Sequence, residues 1–189
     1  FSTMANTELS RYRQQDLIKF RRTSSDGFPN GKDNFFPEYL DGLYNASPTH
    51  QGIINDLTSY IVGKGLFSTD AESQAKINRF FSNRFLADVV RLDLIHNVKS
   101  LEVLKNGLYD IQEINVIYPK QIRALELQKN DPVQFIYRES WDRSNPFYKV
   151  TEELSKYKRD IQKDKSLFYA YNSGTFPVPY GRPYYMSGL

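Results

Sequence analysis

Between Ser47 and Leu66 the chain reads SPTHQGIINDLTSYIVGKGL, with His50, Ile53, Ile54, Leu57, Tyr60 and Ile61 recurring at intervals of three and four. That is the helical period. The spacing predicts a helix from Pro48 to Val62 whose apolar stripe faces a core while Asn55, Asp56 and Ser59 point away. Ser47 offers a hydroxyl oxygen to the free N–H groups of the first turn, and Pro48 stands where no N–H is needed. Gly63 or Gly65 supplies a left-handed C-cap, with Lys64 suited to the negative end of the helix dipole. The rest of the chain is arranged around this helix, and Ile54→Ala or Leu57→Ala is expected to cost roughly 2 to 5 kcal/mol if the stripe is buried.

Upstream, Asn6 or Thr7 caps a short helix running to Phe20, with Leu9, Tyr12, Leu17 and Phe20 as its apolar contacts and Arg11, Arg13, Lys19, Arg21 and Arg22 making it basic. Residues 1–32 therefore read as an arm, ended by the loop TSSDGFPNGKD. A second helix, Phe35 to Ala46, places Phe36, Tyr39, Leu40, Leu43 and Tyr44 on one side and forms an αα-hairpin with the helix that follows. A third helical region extends from about Asp70 to about His96, bent or broken near Asn83 to Phe85. Its expected buried set is Ile77, Phe80, Phe81, Leu86, Val89, Val90 and Leu94.

At Asn97 the period changes from helical to alternating. Val98 to Leu104 and Leu108 to Ile117 read as a hairpin, with Asn106-Gly107 as a type I′ turn. Gln121 to Leu127, with either Leu125 or Leu127 on the apolar side, and Val133 to Glu139 complete four antiparallel strands. Residues 141–165 fit a helix or an irregular insertion equally well, and Leu167 to Tyr171 can add a strand. The ending GTFPVPYGRPYYMSGL is too rich in proline and glycine for a regular element and is expected to lie extended against a surface. The expected fold is α+β: N-terminal helices packed on a mostly antiparallel sheet, divided as an arm (1–32), a helical part (33–97) and a β-rich part (98–189).

Composition changes this picture mainly by exclusion. Twenty-five basic and 22 acidic side chains, net +3, are too balanced to announce a nucleic-acid binder. The absence of cysteine excludes disulfides, thiolate metal sites and a cysteine nucleophile. No apolar run reaches the ~20 residues of a membrane span, and the first residues carry no signal-peptide pattern, so a soluble chain is expected. Gly63-Lys64-Gly65 follows a helix rather than a strand, which makes a C-cap of it and not a phosphate loop. His50 and His96 lack partners at metal-ligand spacing, Asp110 and Glu113 fall on opposite strand faces, and Glu152-Glu153 sits in a charged run. Ser47 and Ser187 lack a nucleophile elbow. Arg79, Arg84 and Arg91 are spaced too irregularly to line a groove. No catalytic, metal or cofactor residue is nominated, and an enzyme is not expected.

Three stretches in order, DNFFPEYLDGLYNASPTHQGIINDLTSYIVGKGL, SLEVLKNGLYDIQEINVIYPKQIRAL and YGRPYYMSGL, together resemble portal proteins of tailed bacteriophages, especially those of phages infecting Bacteroidetes-type hosts. The likeness spans about Asp33 to Leu189. It implies a virion protein at one capsid vertex, assembled in the host cytoplasm into a ring that is typically dodecameric in the family. Double-stranded DNA passes through such a ring without sequence specificity, and the major capsid protein, the terminase large subunit and a head–tail adaptor are its partners. Family members carry no cofactor; the terminase hydrolyses ATP. Portal proteins are usually more than twice this length, so the likeness implies the N-terminal, mostly wing, part, with stem, clip and crown outside this sequence. On that reading Arg11, Tyr12 and Arg21 of the arm and Phe176, Tyr180, Tyr184 and Tyr185 of the tail are expected at subunit or capsid interfaces, since they have no evident local core. The competing expectations are another virion structural protein, such as a head–tail adaptor or minor capsid protein, and a nucleic-acid-binding module using the basic arm and tyrosine stacking.

Overall fold

The computed structural model describes residues 27, 28, 30, 35–128, 131–141, 151–157 and 163–171. Among the described residues, four α-helices lead into a six-stranded, mostly antiparallel sheet, an α+β arrangement in which the helices pack on the sheet. The helices are α1 (Phe36–Ala46), α2 (Pro48–Val62), α3 (Ala71–Phe80) and α4 (Asn83–His96). Each of the last three starts at a side-chain cap. Ser47 Oγ accepts from His50 N–H (3.3 Å), Asp70 Oδ2 from Ser73 N–H (2.7 Å) and Ser82 Oγ from Phe85 N–H (3.2 Å). The third helical region is thus two helices, broken at Phe81-Ser82, slightly before the expected Asn83 to Phe85, because Ser82 is the better cap.

α1, α2 and α4 share a small core of Phe36, Leu40, Ile54 and Ile95, flanked by Tyr39, Tyr44 and Leu94. The buried set of α4 differs from the expected one: Leu92, Ile95 and His96 are buried, while Ile77, Phe80, Phe81, Leu86, Val89, Val90 and Leu94 are only half-covered. α4 passes straight into the sheet through Asn97, whose left-handed backbone (φ 55°) is one that asparagine tolerates.

The strands are β1 (Val98–Lys105), β2 (Ile111–Val116), β3 (Ile122–Gln128), β4 (Asp131–Arg138), β5 (Thr151–Lys156) and β6 (Lys165–Tyr171), in the order β2-β1-β6-β5-β4-β3. β5 lies where the sequence left helix and insertion open. Only β5 and β6 run parallel, and they overlap only at Ser155↔Ser166 and Lys156↔Leu167. A parallel pair ordinarily needs a crossover of a dozen or more residues. Here residues 157–164 connect the strands, because β6 starts beside the end of β5 and runs on past it. The sheet is in effect two leaves, β3-β4-β5 and β6-β1-β2, joined at a step. One face carries a core of Val98, Ile122, Phe135, Leu154, Leu167 and Tyr169, joined by Ile117, with the Phe135 and Tyr169 rings 4.7 Å apart.

At the edge of the first leaf, Phe28 N–H donates to Ala124 O (2.7 Å) and Asn30 Nδ2 to Ile122 O (3.2 Å), so the described part of the expected arm meets two outward carbonyls of β3 of the same chain. Gly27 has φ 69°, and a Cβ there would fall 2.5 Å from Ala124 O, so only glycine lets the chain approach this closely.

The β1–β2 hairpin forms as expected, but its turn is not type I′. Tyr109 N–H donates to Asn106 O (2.8 Å), Asn106 Oδ1 accepts from Leu108 N–H and Asp110 N–H (both 2.9 Å), and the positive φ falls on Tyr109 (63°). Asn106 therefore acts through its side chain, capping a longer loop built on an ordinary turn, and strand β2 begins only at Ile111.

Candidate interaction surface

α2 contains more apolar surface than its neighbours cover. Its packing side is narrow, with Ile54 and Thr58 buried. The Thr58 hydroxyl donates to Ile54 O (2.7 Å), and Tyr44 of α1 donates to Asn55 Oδ1 (3.0 Å). Asn55, expected to face away, is thus the tie between α1 and α2. The side chains of Ile53, Leu57, Tyr60 and Ile61 lie on an arc rotated roughly a quarter turn from Ile54 and Thr58, and they are exposed, Tyr60 by 87%. The expected buried stripe is corrected accordingly: of its apolar members only Ile54 is in the core.

Beyond α2 the exposed series continues in Leu66 and Phe67, the latter 81% exposed. Gly63 N–H closes α2 on Ser59 O (3.0 Å), and Gly63 and Gly65 both have positive φ, as a helix end requires. Gly65 also lies so close to Asn83 that a Cβ would meet that side chain, and Gln74 Oε1 accepts from Ser68 N–H (2.7 Å). These contacts tie the 63–68 loop to α3 and to the start of α4 around an open cleft of about 570 Å³, with Leu66, Phe67, Ile77 and Phe81 as its apolar lining and Lys64 at its side. The tip of the β1–β2 hairpin exposes two more large side chains, Leu108 (81%) and Tyr109.

The titratable groups serve as ties between elements. His96 Nε2 lies 3.0 Å from Asp41 Oδ1 and joins α4 to α1. Lys165 Nζ of β6 contacts Glu102 of β1 and Glu152 of β5, each at 2.7 Å, across the step in the sheet, and Asn115 donates to the other Glu102 oxygen (3.2 Å). The Arg123 and Arg138 guanidinium groups lie 3.6 and 4.8 Å from the centre of the Trp141 ring, a cation–π arrangement. Arg79 contacts the Phe80 ring and reaches Gln112 O at 3.5 Å, while Arg91 pairs with Asp88 at 3.1 Å. Among the described residues no group of three or more His, Cys, Asp or Glu is placed to hold a metal ion.

Arg11, Tyr12, Arg21, Phe176, Tyr180, Tyr184 and Tyr185 lie outside the described residues. Sequence reasoning missed the exposed surface of α2 and the hairpin tip. One signal for the former was present: Ile53, Ile54, Leu57, Tyr60 and Ile61 span a wider arc than one packing seam uses. No family model matches the sequence, and no curated protein matches it either.

Proposed function

We propose that this chain is the wing part of a tailed-phage portal protein, a structural subunit of a dodecameric ring at one capsid vertex. In that role the ring passes double-stranded DNA in and out and offers docking surfaces to the terminase and the head–tail connector, while the chain performs no chemistry of its own. The observation that carries the reading is the row of exposed apolar side chains Ile53, Leu57, Tyr60, Ile61, Leu66 and Phe67, since contiguous exposed apolar surface of this kind marks a protein interface. The ordered likeness of three stretches to portal proteins supports the same reading.

Negative-stain class averages of the full-length protein test it. Closed rings with a central channel are the expected result. A monomer whose DNA binding falls steeply with added salt would replace this reading with that of a nucleic-acid-binding module.

A further inference from the structure

The hairpin tip and the α2–α3 cleft are a knob and a socket on opposite sides of one helix. On α3, Ile77 and its neighbours Gln74 and Asn78 line the cleft, while Arg79, more than a third of a turn away on the helix surface, extends to the β2 strand of the hairpin. The knob is Leu108 and Tyr109, an aliphatic and an aromatic side chain held out together on a loop that Asn106 braces with two hydrogen bonds. Tyr109 occupies a left-handed conformation that a glycine or asparagine would adopt at lower cost. A strained, exposed aromatic residue is the kind of outlier that is retained at contact sites. The socket is bounded by the Gly65–Asn83 approach and the Ser68–Gln74 bond and is an open cleft of about 570 Å³. Charge agrees as well: exposed Asp110 adjoins the knob in the chain, and Lys64 stands beside the socket.

We propose that Leu108 and Tyr109 of one copy of this chain insert beside Phe67, Ile77 and Phe81 of the next copy. Because the two surfaces are different, the contact is head-to-tail, and repetition either closes a ring or extends a filament. The contact stands on the exposed residues themselves; closure into a ring rests on the portal reading above.

The sequence has no cysteine, so single substitutions report the contact cleanly. Gly107→Cys beside the knob and Asn78→Cys at the socket leave the contacting side chains in place, and the two proteins, mixed under mild oxidation, are expected to give a mixed disulfide dimer that neither gives alone, since the bond requires Cα atoms within about 7 Å. Adding Leu108→Asp to the first protein should reduce the cross-linked fraction at least about tenfold, as loss of a central apolar anchor does, with an unchanged circular dichroism spectrum showing that the fold persists. Rings in class averages with no 107–78 cross-link would overturn this contact and leave the portal reading standing. A cross-link without rings would support the contact and overturn the portal reading. Cross-linking of Gly107→Cys to itself would mean a two-fold contact and overturn the proposal.

Discussion

Tyr109 shows what a single residue costs and what it provides. Its φ of 63° is a conformation that most side chains avoid, and the residue is 41% exposed. Tyr109→Asn should therefore raise stability by about 0.5 to 1 kcal/mol in urea unfolding, while removing the ring that the proposed contact uses. No gain would mean that the tyrosine makes compensating contacts within its own chain. Lys165 is the opposite case, a residue that stabilises through its partners. Burial alone would pull its ammonium group down, but the hydrogen bonds to Glu102 and Glu152, with their charges, outweigh burial and hold it above its ordinary value. For a cation with a raised folded-state value, the stabilisation is complete below the unfolded value of about 10.4 and is lost as pH rises through the folded one. The stability difference between the native protein and Lys165→Met should hold near about 1 kcal/mol from neutral pH to about pH 10, a small figure because the group is partly exposed and screened, and shrink above that. A difference that grew with alkalinity would contradict the assignment.

Among the elements, α2 carries the sharpest test because its apolar side chains divide between core and surface. Ile54→Ala removes a core side chain and should cost roughly 2 to 5 kcal/mol. Leu57→Ala acts on a side chain that is 42% exposed and should change monomer stability by less than about 1 kcal/mol. Equal losses in thermal unfolding would show that both residues are buried. Much at this scale was legible in the sequence. The caps at Ser47 and Gly63 delimited α2, the change of period at Asn97 located the start of the sheet, and Phe36, Leu40 and Ile54 could be named as core from spacing alone. What was not legible depended on tertiary partners. A helical period shows that a stripe is apolar but not whether a neighbour covers it, so the exposure of Leu57 was hidden. Asn106-Gly107 suggests a two-residue turn, but the asparagine side chain captured two N–H groups and moved the left-handed position to Tyr109. The register of β3 shifts between Ala124 and Glu126, which explains why Leu125 and Leu127 could not be separated by alternation. β5 was missed because its Thr-Glu-Glu-Leu-Ser-Lys sequence is mostly polar, with Leu154 as its one deeply buried apolar residue, and is recruited to the sheet by its neighbours.

At the scale of the whole molecule, the described residues turn apolar side chains outward in the α2 row, the Leu66–Phe67 loop and the hairpin tip, as well as singly at Phe35, Tyr118 and Phe168. The proposed ring would bury this surface against neighbouring copies. The exposed surface of α2 and the hairpin tip was not legible in the sequence, which directed attention to residues of the basic arm and the aromatic tail that lie outside the described residues. Mass photometry of the full-length protein, with and without Leu57→Asp, tests the central claim most directly. We expect one closed species of about a dozen subunits for the native sequence and smaller species for the variant; a native protein that stays monomeric or dimeric across micromolar concentrations would contradict the account.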